Sequence, residues 1–162
     1  MGIITDSGRA AVALAVKEQP LYLAWGTGGE GWDNERPAED EQSTGLVAEV
    51  GRKALFRSLF VLPDEQGEIS ISEESRYAVS VEPTKYLYVE FEFDFKDGAG
   101  ETIREVGVFM GGEIVSGLPP AQSYFVPSEV LDPGTLLMLE HRETALQRTR
   151  SERCLIAYVI PF

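Results

Sequence analysis

The segment Tyr86-Leu-Tyr-Val-Glu-Phe-Glu-Phe-Asp-Phe95 constrains the fold more than any other. Leu87, Val89, Phe91, Phe93 and Phe95 alternate with Tyr86, Tyr88, Glu90, Glu92 and Asp94. A period of two over that length specifies a β-strand with one apolar and one polar face. Lys96-Asp-Gly-Ala-Gly100 has the residues of a turn, and Ile103-Arg-Glu-Val-Gly-Val-Phe109 runs apolar again. The pattern predicts a long antiparallel hairpin whose apolar face is covered by other elements.

The remainder reads as α+β and mostly β. Thr5-Asp-Ser-Gly8 supplies capping oxygens ahead of an alanine-rich run, so a helix is expected from near Asp6 to before Pro20. Ala11, Leu14 and Ala15 share one of its faces. Leu21–Trp25 follows as a strand. Residues 32–43 form a polar loop, and Thr44 is expected to cap one further short helix over 45–50. Strands are predicted at 54–62, 68–72 and 77–81, with Phe56, Phe60 and Leu62 on one face of the first. Pro119, Pro120, Pro127 and Pro133 make 116–134 an extended arm. Residues 135–142 and 153–160 close the chain as a C-terminal β-hairpin with a charged tip. The expected architecture is an antiparallel sheet or sandwich, with boundaries at 1–115, 116–134 and 135–162.

Charge and cysteine content narrow the function. Twenty-seven acids against 14 Lys and Arg leave a net charge of −13. Such a chain is repelled by phosphate backbones and anionic membrane surfaces, so nucleic-acid partners and membrane insertion are not expected. A lone cysteine, Cys154, forms no intrachain disulfide and fits synthesis in a reducing cytoplasm.

Candidate chemistry is sparse. Gly26, Gly28 and Gly31 match G-x-G-x-x-G, but Trp32–Pro37 cannot provide the helix that would receive a pyrophosphate. Glu39, Asp40 and Glu41 lack the spacing of a calcium loop. Glu90 and Glu92 sit side by side on a strand rather than across a cleft, which disfavours an acid–base pair. His141 is the only histidine and has no nucleophile beside it in sequence. No catalytic residue, metal ligand or cofactor site is therefore assigned. Strand alternation places Glu105 among core residues, where a carboxylate needs a partner. Arg52 is the expected one, in a structural ion pair. Trp25, Trp32, Tyr86 and Tyr88 suggest an alternative reading, a β-sandwich carbohydrate-binding module with stacking rings.

Four motifs carry a resemblance. They are Ile4-Thr-Asp-Ser-Gly-Arg9, Ala24-Trp-Gly-Thr-Gly28, Thr44-Gly-Leu-Val-Ala-Glu-Val-Gly-Arg52 and Thr102-Ile-Arg-Glu-Val-Gly-Val-Phe109. In that order, over residues 3–112, the chain resembles the amino-terminal region of bacteriophage tail-collar and tail-fibre proteins. The resemblance implies a structural tail protein that attaches at the baseplate or fibre and assembles in the host cytoplasm. Its implied partners are other tail proteins and further copies of itself, in a ring or trimer. No fibre shaft follows residue 112, so receptor binding is not implied. The arm supplies the candidate interface residues Pro119, Pro120, Tyr124, Phe125 and Pro127.

Overall fold

A computed structural model describes all 162 residues. A single α-helix, α1 (Asp6–Lys17), precedes twelve strands. These are β1 (Leu21–Gly26), β2 (Glu49–Ala54), β3 (Arg57–Pro63), β4 (Ile69–Ser70), β5 (Arg76–Val79), β6 (Tyr86–Phe93), β7 (Thr102–Met110), β8 (Glu113–Ile114), β9 (Tyr124–Phe125), β10 (Val130–Asp132), β11 (Thr135–Gln147) and β12 (Cys154–Pro161). They form two five-stranded sheets, ordered β11-β7-β1-β2-β9 and β12-β6-β3-β5-β4, and a two-stranded ribbon β10-β8. All the recorded pairings are antiparallel.

Two compact units divide the chain. The first comprises Met1–Gln19, Leu55–Phe91 and Ile156–Phe162; the second comprises Pro20–Ala54 and Glu92–Leu155. The sequence boundaries expected at 115 and 134 both fall inside the second unit.

In the first unit, Thr5 caps α1 by accepting the Gly8 amide through its side chain. Asp6 in the first turn and Lys17 in the last complement the helix dipole. The buried helix residues are Ala13 and Val16, while Ala11, Leu14 and Ala15, which share a face, are exposed. Lys17 sits over the Phe60 ring and Asp6 pairs with Lys85 at the two ends of the helix. On β3, Phe60 and Val61 are buried while Phe56, just before it, and Leu62 are exposed. Period two alone therefore misassigned that strand.

The second unit is built on β1 and β7. Leu23, Ala24 and Trp25 are fully buried beside Ile103, Val106 and Val108. The Phe93 ring stacks on Trp25, with centroids 3.6 Å apart and an interplanar angle of 18°. The Trp25 indole N–H donates to the Tyr124 hydroxyl at 2.9 Å.

Several expectations are overturned. Strands β6 and β7 do not form a hairpin: β12 and β3 flank β6, while β11 and β1 flank β7, so neither has a free edge for the other. The same holds for the predicted C-terminal hairpin, because β11 and β12 belong to different sheets. The polar face of β6 is not uniformly wet, since Tyr88 and Glu90 are buried, and Phe95 on the apolar face is exposed. The second helix is absent. Residues 49–54 pair with β1 instead, and Gly51 accommodates the Tyr124 ring, whose hydroxyl would lie 2.1 Å from any Cβ there. A strand partner and a ring that demands glycine override the helical spacing of Leu46, Val47 and Val50.

Candidate functional site

Glu105 is the most deeply buried carboxylate, with no exposure to solvent. Strand β7 delivers it opposite Gly26 on one side and His141 on the other. Its Oε2 accepts the Val47 amide at 3.0 Å and its Oε1 the Ala48 amide at 2.8 Å. Charge-assisted bonds from two backbone amides satisfy a buried carboxylate without a cation. Arg52 is not its partner. The Arg52 guanidinium pairs with Glu49 at 2.7 Å, donates to the Pro133 carbonyl at 2.9 Å and lies 4.4 Å from the Phe109 ring centre. The predicted Glu105–Arg52 pair is thus replaced by two separate locks. One ties residues 47–48 to β7, and the other ties β2 to the end of the proline-rich segment. Sequence reasoning missed Glu49, three residues before Arg52.

His141 anchors the polar loop over residues 32–43. Its Nδ1 lies 2.8 Å from the Pro37 carbonyl, which can only accept, so Nδ1 carries the hydrogen. Its amide donates to Glu39 Oε1 at 2.8 Å, and its carbonyl accepts from Arg36 at 3.1 Å. The Trp32 ring sits 4.4 Å from the imidazole. The hydrogen bond from the His141 amide holds the Glu39 carboxyl below the usual carboxylate range. Trp32 also fills the space over Gly28 and Gly29, so the glycine motif makes room for a ring and no helix follows. Arg104 closes the loop's other end with a two-pronged bond to Asp33, at 2.8 and 2.9 Å.

On β6, Glu90 accepts from the Tyr88 hydroxyl and from Arg57 at 2.9 Å. Burial raises the Glu90 pKa, but the bonds from Tyr88 and Arg57 outweigh that and leave it below the ordinary value. Glu92, two residues on, is exposed, so the two carboxylates do not form a shared site. Trp25 is fully buried and Tyr88 nearly so, which removes two of the four rings from the sugar-platform reading.

The proline-rich arm is bound to its own chain. Tyr124 and Phe125 pair with Lys53 and Arg52, and Val130 pairs with Ile114. Within the chain, Phe125 is buried and the half-buried Tyr124 faces Trp25, while Pro119, Pro120 and Pro127 are exposed. Burial pushes the Tyr124 hydroxyl up to about 12. Beside the arm, Lys53, Asp94, Asp97 and Gln122 help line a cleft of about 530 Å³. There Lys53 is bonded to Asp97 at 2.8 Å.

Every buried side-chain nitrogen and oxygen has a hydrogen-bond partner. No group of three or more His, Cys, Asp or Glu side chains is arranged to hold a metal ion. No helix is long and apolar enough to cross a membrane. What remains unsatisfied is apolar. Ten of the 15 exposed large apolar side chains lie in the first unit, Ile3, Ile4, Val12, Phe56 and Val81 among them.

A family described as baseplate wedge 3 tail fiber network component matches residues 1–162. This supports the baseplate and tail-fibre part of the resemblance and not the tail-collar name. No curated protein matches the chain.

Proposed function

The chain belongs to the baseplate wedge 3 tail fiber network component family, and on that premise we propose that it is an adaptor subunit that attaches tail fibres at the phage baseplate. Its work is docking, with no turnover of substrate. The gathering of exposed apolar side chains on the first unit carries this reading, because a protein-docking surface is built from apolar side chains left in water on one body. The internal locks at Glu105 and His141 support it as well, since a rigid body loses less entropy when it docks. The exposed prolines Pro119, Pro120 and Pro127 offer a second contact strip, preset in extended form. Self-association accompanies attachment, assembly takes place in the host cytoplasm, and a prophage or tail-like particle is an equal setting.

Deletion of the gene tests the proposal. Particles that assemble with a baseplate but without fibres, and that regain fibres on complementation, are the expected result. Purified particles that lack the protein yet keep their fibres would overturn it.

A further inference from the structure

A strand at the edge of a sheet exposes unpaired main-chain N–H and C=O groups, and natural proteins shorten, bulge or cover such edges. Three of the four edges in the two large sheets are treated so. Strands β4 and β9 have two residues each. Strand β11 carries two register shifts, and Glu39 and Arg36 occupy the His141 amide and carbonyl. Strand β12 is the exception. It is eight residues long, has β6 as its single neighbour, and holds no charged side chain. The Phe162 amide donates at 2.9 Å to the carbonyl of Lys85, the residue before β6. Alternation along the strand therefore turns the N–H and C=O of Ala157 and Val159 away from β6. Pro161 falls in the same outward register, where a missing N–H costs no ladder bond. No group of this chain bonds the main chain of Ala157 or Val159 on that side.

We propose that the outer edge of β12 binds an extended segment of a different, basic tail protein, which adds to the sheet as a further strand. The proposal rests on the adaptor reading and deepens it, by naming how the chain holds a neighbour in the tail.

The edge itself selects an extended backbone. A strand presents its N–H and C=O groups along one line at the spacing that the groups of Ala157 and Val159 require, and a helix or a compact loop does not. The strand's own side chains favour the match. Ile156, Tyr158, Val159 and Ile160 are β-branched or aromatic, the types that pair well across strands, and no like charge stands against the newcomer. Charge then separates the candidate occupants. A second copy would bring a further −13 to a body already at −13, and the two would repel. A strand carried on a basic body is drawn in instead, and the same field speeds its approach.

Amide hydrogen exchange of the full chain, free in solution and within purified particles, tests this. In the free chain the Ala157 and Val159 amides exchange fast, and in particles they slow by at least about tenfold. Val159→Pro deletes one outward N–H and lowers incorporation into particles by at least about tenfold, while Val159→Thr, which keeps the amide, is incorporated normally. Circular dichroism shows that each variant folds, and the exchange measurement needs no variant at all. A photocrosslinking residue at position 157 joins the chain in particles to a segment of net positive charge. Fast exchange at both amides in particles that contain the protein overturns the proposal and leaves the adaptor reading standing. Slow exchange in the dilute free chain, normal incorporation of folded Val159→Pro, or a crosslink to a second copy overturns it as well. Absence of the protein from particles fails the adaptor reading and takes the edge proposal with it.

Discussion

The Glu105 carboxylate holds the Ala48 amide at 2.8 Å, inside a site with no solvent exposure. Val47 is bound by the same carboxylate. Glu105→Gln keeps one acceptor and aims an amide group at a second donor. It should cost about 2–3 kcal/mol of stability, measured by urea unfolding. Arg52→Ala combined with Glu105→Gln should be additive within about 0.5 kcal/mol, because the two side chains serve separate locks.

Gly26 is the floor of that site. A Cβ there would lie 2.5 Å from the Ala48 carbonyl oxygen and 2.6 Å from Glu105 Oε1. Gly26→Ala should destabilise by about 1–3 kcal/mol through overpacking, read from the same urea curves.

The His141 clamp should set the lifetime of the closed loop. His141→Ala removes the bond to the Pro37 carbonyl and the ring against Trp32. Losing about 1.4 kcal/mol of local closure raises the open population about tenfold. Cleavage after Glu35 or Glu41 by a glutamate-specific protease should accelerate by that factor, with little change in global stability.

Glu90 makes stability depend on pH in one direction. Its folded pKa lies below the unfolded value near 4.5, so its contribution is fully present above about pH 4.5. It is lost as pH falls through the lower, native value. The stability gap between wild type and Glu90→Gln should therefore be about 2 kcal/mol at pH 7 and close under acid, in urea titrations at each pH.

Tyr124 acts at the opposite extreme. Its hydroxyl is raised to about 12 by burial, so its neutral form is favoured in the fold and its contribution persists below pH 10. That contribution disappears as pH rises from 10 toward 12. Tyr124→Phe should abolish the latest phenolate absorbance on alkaline titration. Losing the acceptor for the Trp25 indole N–H should cost about 1–2 kcal/mol at neutral pH.

Local signals read directly from the chain were those whose cause lies within a few residues. Thr5 as a cap, the glycine turn of Lys96–Gly100 and the apolar run of Leu87, Val89, Phe91 and Phe93 all depend on neighbours in sequence. Burial of Glu105 was also legible, because alternation along a strand places a side chain whatever the partner strand is. Its ligands were not. The amides of Val47 and Ala48 reach it from residues 57 and 58 positions away, and nothing in residue spacing ranks a backbone donor above Arg52.

Strand partners lay beyond the chain's local pattern for the same reason. Alternation in β6 and β7 is compatible with a hairpin, and it is equally compatible with two sheets whose other strands already occupy every edge. Residues 49 and 50 joined β2 rather than the helix expected over 45–50 because β1 pairs with that stretch, and Tyr124, 73 residues after Gly51, packs against the bare Cα there. Burial of Ala13 and Val16 rather than Ala11, Leu14 and Ala15 likewise followed from which side of α1 met the rest of the first unit. Periodicity reports that a helix has an apolar side; long-range packing determines whether that side is covered by the chain itself or left for another molecule.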